Sequence, residues 1–179
     1  MWSSSVAQVD EYPHQFMSLL FDEYKATNNV HYLSLLIQAN YRNAVEAYYQ
    51  LAHAQNAIPD YSEGDNVPVL TESIKEVRDP ALTPLLIQLL KLSMQEGFID
   101  KDMFGLNWAC RQALRAIAMH DTEMVLQELE TAKEPYNQSI NQLLIDLIDN
   151  FSYYLVNSAD EALDFDSALM IVPLRTATS

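Results

Sequence analysis

The stretch DPALTPLLIQLL, which begins at Asp79, constrains the fold of this chain more than any other segment. An aspartate carboxylate accepts hydrogen bonds from the free amides at the start of a helix, and proline suits the first helical position because no backbone donor is needed there. Leucines then recur at helical spacing, so a helix is predicted over 80–94. A second helix is predicted over 101–118, within which Gly105 opens the small-residue stretch GLNWACRQALRAI, and Gly97 lies between the two helices. Together they predict a helical hairpin.

The same spacing and punctuation predict further helices on both sides of this hairpin. They cover 10–25, 30–39, 41–54 and 70–77 before it, then a helix from Asp121 to before Pro135 and a long helix that reaches Leu155. Residues 58–68 concentrate Pro, Gly, Asp and Ser, which predicts a loop. The chain has only 3 glycines and is 49% hydrophobic, which argues against disorder and against a turn-rich β architecture. The predicted fold class is all-α.

Residues 79–117 resemble a HEAT repeat, in which an internal proline bends the first helix and small residues alternate with aliphatic ones in the second. The positions that match are Asp79, Pro80, Pro84, Leu86, Leu89, Leu90, Leu106, Cys110, Ala113, Leu114 and Ile117. Asn107 stands where the family usually has a basic residue. The separation of 42 residues between Asp79 and Asp121 falls within the period of about 40–47 residues of HEAT and armadillo-like repeats.

The resemblance implies one domain over 1–179, built as a short α-solenoid of stacked antiparallel helical hairpins. Its expected parts are irregular N-terminal hairpins over 10–57, the loop 58–68, a HEAT-like unit over 79–120, a second unit over 121–157, and a C-terminal cap or tail over 158–179. Small side chains in the second helix of a unit allow neighbouring helices to approach closely, and the aliphatic side chains bury apolar area against both neighbours.

Acidic residues are concentrated towards the end of the chain, whose formal net charge is −15. Residues 121–179 hold 11 acids and 2 bases, whereas residues 1–120 hold 14 acids and 8 bases. Such a field repels nucleic-acid phosphates and anionic lipid headgroups and accelerates encounter with a cationic protein. We therefore predict a basic protein as the partner, with no nucleic acid and no membrane. The alternative is that the charge serves only solubility.

The predicted partner-binding residues are acids and tyrosines of this C-terminal part, where Lys133 is the only base between residues 121 and 166. Aromatic side chains supply large contact areas in protein interfaces at low entropic cost. The set comprises Glu123, Glu128, Glu130, Glu134, Asp146, Asp149, Tyr153, Tyr154, Asp160, Glu161 and Asp164, with Tyr136 and Asp166 beside it. The alternative for each residue is a solvated helix exterior, or a core tyrosine.

No catalytic, cofactor-binding or metal-binding residue is predicted. The four histidines lack metal-ligand spacing, the acidic groups lack EF-hand order, and no phosphate-binding glycine motif or nucleophile elbow occurs. Cys110, the single cysteine, occupies a small-residue position of a packed helix and is interpreted as a core residue, with a nucleophile as the alternative. The lone cysteine and the lack of a long apolar run or signal segment predict a cytoplasmic location.

HEAT-like proteins include scaffolds, transport adaptors, cofactor-loading lyases, basic DNA-repair glycosylases and small immunity proteins, so the resemblance alone does not select a function. The acidic charge favours a non-enzymatic immunity protein, which would bind and neutralise a basic toxin of the nuclease type. The first alternative is an adaptor or regulatory scaffold whose groove holds a helix or peptide of a cellular partner. The second is a HEAT-like lyase that uses Cys110 or a carboxylate.

Overall fold

The computed structural model describes residues 5–59, 69–100 and 105–157. Within these ranges the chain is helical and contains no β-strand beyond an isolated bridge between Ala57 and Ile99, so the predicted all-α class is confirmed. The α-helices are α1 (Ser5–Thr27), α2 (Val30–Gln38), α3 (Arg42–Gln55), α4 (Val69–Glu72), α5 (Thr83–Ser93), α6 (Leu106–Ala118), α7 (Thr122–Ala132) and α8 (Gln138–Asn157). Most of the predicted loop, residues 60–68, and the predicted cap or tail over 158–179 lie outside the described residues.

The helix that was predicted to begin at Pro80 starts with a 3₁₀ turn, Pro80–Leu82, before α5. The Asp79 carboxylate caps this turn and accepts a hydrogen bond from the amide of Ala81 at 3.0 Å. An α-turn would need residue 84 to donate to the Pro80 carbonyl, but Pro84 has no amide hydrogen, and the amide of Thr83 donates to that carbonyl instead. The internal proline therefore sets the geometry of the first turn.

Two residues, Gly97 and Asp100, define the geometry of the connection between α5 and α6. Gly97 adopts a φ of +81°, in the left-handed region that favours glycine. Asp100 caps α6, because its two carboxylate oxygens accept hydrogen bonds from the amides of Leu106 at 2.7 Å and Asn107 at 3.1 Å. These bonds satisfy two of the amides that lack a partner inside the helix. The described part of this helix begins at Leu106, and residues 101–104, where the sequence predicts its start, lie outside the described residues.

Helix packing follows a pairwise order. Helix α5 packs against α6, and α7 packs against α8. Contacts also join α5 to α7 and α6 to α8, so the first helices of the two pairs contact each other, and so do the second helices. Before these pairs, α2 packs against both α3 and the segment formed by α4 with the 3₁₀ turn Ser73–Glu76. Helix α3 contacts α5, and the α4 segment contacts α6. A buried hydrogen bond of 2.6 Å between the hydroxyls of Tyr48 and Thr71 ties α3 to α4.

The core runs through these pairs and includes the small residues of α6. Leu86, Leu89 and Leu90 of α5 are fully buried. Ala109 and Ala113 of α6 are also fully buried, as the close packing predicted from their size requires.

Helix α1 lies at the edge of this core and is only partly buried. The residues that were predicted to form one apolar stripe along α1 differ in burial: Tyr24 is buried, whereas Phe16 and Leu19 are each 65% exposed. Helix α1 packs against α2. The ring centroid of Phe21 lies 5.9 Å from that of Tyr24 in the same helix and 5.7 Å from that of Tyr41, the residue before α3. An edge helix with one main neighbour buries only the side that faces that neighbour.

Candidate partner-binding surface

The predicted partner-binding residues that the structure describes lie on the last helix pair and on its connection. Helix α7 buries Val125 and Leu129. Helix α8 buries an apolar side that consists of Ile140, Leu144, Leu147 and Phe151. The acidic residues occupy the remaining sides of both helices. Residues 121–157 contain seven acids and one base, which makes this pair the most acidic described part of the chain.

The acids of α7 occupy two sides of the helix rather than one. Glu123 and Glu130 are seven residues apart, which places them within about 20° around the helix axis, and both are exposed. Glu128 lies about 140° from Glu123 by the same geometry and is half-buried. Charge on α7 therefore extends around the helix towards both flanks.

Helix α8 presents one acid directly to solvent. Asp149 lies about 180° from Ile140 around the axis, opposite the buried side, and is exposed. Asp146 is half-buried and accepts a hydrogen bond from Nε2 of Gln142 at 2.9 Å. Tyr153 is half-buried and packs against the core, so only part of its ring is available to a partner.

Two of the predicted acids are neutralised by lysines. Nζ of Lys133 lies 2.8 Å from Oε2 of Glu130. Nζ of Lys91, in α5, lies 2.5 Å from Oε1 of Glu134 and donates a hydrogen bond to the carbonyl of Ala132 at 3.0 Å. Sequence reasoning identified Lys133 as the only nearby base, and Lys91 enters the region only because α5 packs beside α7.

Of the six predicted acids that the structure describes, four have no basic partner within the described ranges. They are Glu123, Glu128, Asp146 and Asp149, which we call the acidic α7–α8 surface. The predicted residues Asp160, Glu161 and Asp164, and the side chain of Tyr154, lie outside what the structure describes.

The connection between α7 and α8 adds a fully exposed aromatic ring. Tyr136 is 101% exposed, the highest value among the exposed large hydrophobic residues of the described chain. Asn141 of α8 fixes this connection from both directions: its Oδ1 accepts from the amide of Glu134 at 2.6 Å, and its Nδ2 donates to the Glu134 carbonyl. Tyr136 therefore lies on a connection that is hydrogen-bonded to α8. From the sequence, it was named only beside the predicted partner-binding residues.

Cys110 behaves as a core residue in this structure. It is fully buried in α6, and burial, assisted by the negative charge of Asp100, raises the pKa of its thiol well above the usual value. The thiolate is the nucleophilic form of cysteine, so a thiol held in its protonated form at neutral pH is a poor nucleophile. No group of three or more His, Cys, Asp and Glu side chains in the described ranges is arranged to hold a metal ion.

Comparisons with known proteins bring no relative. No family model, no curated protein and no solved structure matches this chain. Among the helices described, none has both the length and the apolar character needed to cross a bilayer.

Proposed function

We propose that the chain forms a short α-solenoid of the HEAT-like type. The support comes from the order of helix contacts, in which α3 lies on α5 and α5 on α7, while the α4 segment lies on α6 and α6 on α8. Stacking of corresponding helices is what a solenoid requires, because each repeat contacts only its neighbours. Further support comes from the capped Asp79-Pro80 start and the buried small residues of α6.

On this scaffold, the function that we propose is non-enzymatic binding of a basic protein, most concretely as an immunity protein that neutralises a nuclease-type toxin. The observation that carries the proposal is the acidic α7–α8 surface, whose four carboxylates have no basic partner among the described residues. Leaving these charges unpaired raises the local negative potential, which attracts a cationic surface over distances of about a Debye length, or roughly 10 Å at 0.1 M salt.

The inhibition follows from charge and from excluded volume. A nuclease that binds a phosphate backbone presents lysines and arginines around its cleft. An acidic protein that docks over this cleft occupies the place of the phosphates and keeps the substrate out. Tyr136, which is fully exposed on the connection between α7 and α8, supplies an aromatic contact that can be buried against the partner. No chemical step by the inhibitor is needed.

A charge-reversal pair tests the proposal. Changing both Glu123 and Asp149 to lysine alters the net charge by about +4 on the acidic α7–α8 surface and breaks no ion pair of the described chain. Changing Glu23 and Glu96 to lysine makes the same net change at two exposed acids on other parts of the described chain. Each protein is immobilised and used to capture proteins from the cells in which it is made, with quantitative mass spectrometry as the readout.

We expect the wild-type chain and the Glu23/Glu96 variant to retain the same basic protein. The Glu123/Asp149 variant should retain at least about tenfold less of it, because charges at the rim of an interface act mainly on the rate of association. Circular dichroism checks that all three proteins are equally folded. Equal retention by both variants would reject the acidic α7–α8 surface as the binding site. Capture of a neutral or acidic protein that both variants retain would instead favour an adaptor that binds through a groove.

A further inference from the structure

A cationic cavity lies in this strongly acidic chain. It has a volume of about 480 Å³ and lies between the 3₁₀ turn Ser73–Glu76 and helix α6. Among the described residues, three cations line it, Lys75, Arg78 and Arg115, together with one carboxylate, that of Glu76. Cavities of a few hundred Å³ are the usual size for small-molecule sites. The local balance of charge is therefore opposite to that of the chain as a whole.

Arg78 is held in place at the edge of this cavity. Its Nη1 donates hydrogen bonds to the carbonyls of Lys75 at 2.5 Å and Val77 at 2.9 Å. Its Nη2 lies 3.9 Å from Oε2 of Glu76, which is an ion-pair distance but too long for a hydrogen bond. Two backbone bonds thus fix the guanidinium group while leaving its positive charge available at the cavity.

Lys75 is also fixed, by one carboxylate and one aromatic ring. Its Nζ lies 2.8 Å from Oε1 of Glu72 and 5.5 Å from the centre of the Trp108 ring. A cation in this position over an indole is stabilised by the ring's negative face. Because the ammonium group is already ordered, an anion that binds beside it pays little entropy for ordering the side chain.

Arg115 supplies the most buried charge of the cavity. It projects from the last turn of α6 and is only 8% exposed. A guanidinium group keeps its charge at all physiological pH values, and its planar fork matches the geometry of a carboxylate or phosphate. A charge attracts an anion more strongly in a site of low dielectric constant than in open water.

Part of the remaining lining is apolar and can hold the body of a small molecule. Trp108 and Ala116 of α6 and Met119, the residue after this helix, form this part of the wall, and Gln112 and His120 are the polar members of the lining. An anionic group and a ring or short chain could therefore be bound together, the first by the cations and the second by the indole and its neighbours.

We propose that this cavity is a binding site for a small organic anion, whose carboxylate or phosphate group contacts Arg115, Arg78 and Lys75 and whose apolar part contacts Trp108. Anion binding here does not depend on the proposed binding of a basic protein, because the two use different side chains of opposite charge, although His120 of the cavity lies only three residues before Glu123.

Trp108 provides a direct readout, because the chain contains only two tryptophans and Trp2→Phe leaves Trp108 as the single one. Its fluorescence is titrated with phenyl phosphate, with benzoate, and with benzamide as the uncharged match of benzoate, each up to about 10 mM, a range that covers millimolar dissociation constants. We expect a saturable change with at least one of the two anions and none with benzamide. The preferred anion then identifies the phosphate or the carboxylate as the group recognised.

Three variants and one control locate the binding. Arg78→Gln and Lys75→Gln should each weaken the binding at least about fivefold, while Arg42→Gln, which removes one positive charge from the exposed side of α3, should leave it unchanged. Arg115→Gln should weaken the binding more than either of these variants. If Arg115→Gln does not fold, the results for Arg78→Gln and Lys75→Gln decide whether the anion binds in this cavity. The proposal is overturned if neither anion gives a saturable change, if benzamide binds as well as benzoate, or if Arg42→Gln has the same effect as Arg78→Gln.

Discussion

Replacing Phe151 with alanine is expected to lower the free energy of unfolding by about 3–5 kcal/mol. Phe151 is among the largest fully buried side chains of the described chain, and it lies on the apolar side of α8, which packs against α7 and α6. Its removal loses the transfer free energy of the ring and leaves a cavity that the neighbouring helices can fill only in part. At about 2–4 °C per kcal/mol for a chain of this size, the melting temperature should fall by roughly 10 °C.

Urea unfolding followed by circular dichroism measures this change, and Ile145→Ala on the same helix is the matched control. Ile145 is 37% exposed, so its truncation should cost less than about 1.5 kcal/mol. If Phe151→Ala cost no more than Ile145→Ala, α8 would not be a structural part of the core, and the last helix pair could not support a binding surface.

Enlarging Ala113 to leucine should destabilise the chain by about 3 kcal/mol, near the upper end of the usual cost of overpacking. Ala113 is fully buried on α6, which contacts α5, α7 and α8 as well as the 3₁₀ turn Ser73–Glu76. Because neighbours surround this helix, three additional carbon atoms can be accommodated only by moving a helix or by forcing a side chain out of its rotamer.

The same change at Ala54, which is exposed on α3, provides the control and should alter the stability by less than about 0.5 kcal/mol. Thermal unfolding of both variants beside the wild-type protein gives the comparison. If Ala113→Leu were as stable as the wild type, α6 would not pack closely on its neighbours, and the stacking of helix pairs on which the solenoid proposal rests would lose its main support.

Local chemistry made the helices predictable from the sequence. Asp79 caps the start of its helix as predicted. Asp121, where a helix was predicted to begin, also acts as a cap, because its carboxylate accepts from the amide of Met124 at 3.4 Å. Caps and periodic leucines act within a few residues, so a single sequence is enough to identify them. The 3₁₀ turn at Pro80–Leu82 was not predicted, although the missing amide of Pro84 was visible in the sequence.

The surface chemistry was less predictable, because it depends on residues far apart in the chain. The pairing of Lys91 with Glu134 requires α5 to lie beside the α7–α8 connection, and no local sequence pattern predicts this contact. The cationic cavity likewise combines Lys75, of the 3₁₀ turn Ser73–Glu76, and the nearby Arg78 with Arg115 from α6, and α5 lies between them in the sequence. Net charge indicated an acidic protein, but it could not show that three of the bases line one cavity.

The association rate constant of the basic partner with this protein, measured by stopped flow from about 20 to about 500 mM NaCl, tests the central claim most directly. If the acidic α7–α8 surface steers binding, the wild-type rate should fall more than about tenfold over this range, and the Glu123/Asp149 double lysine variant should associate slowly with little dependence on salt. Identical rates and identical salt dependence for the two proteins would contradict the account.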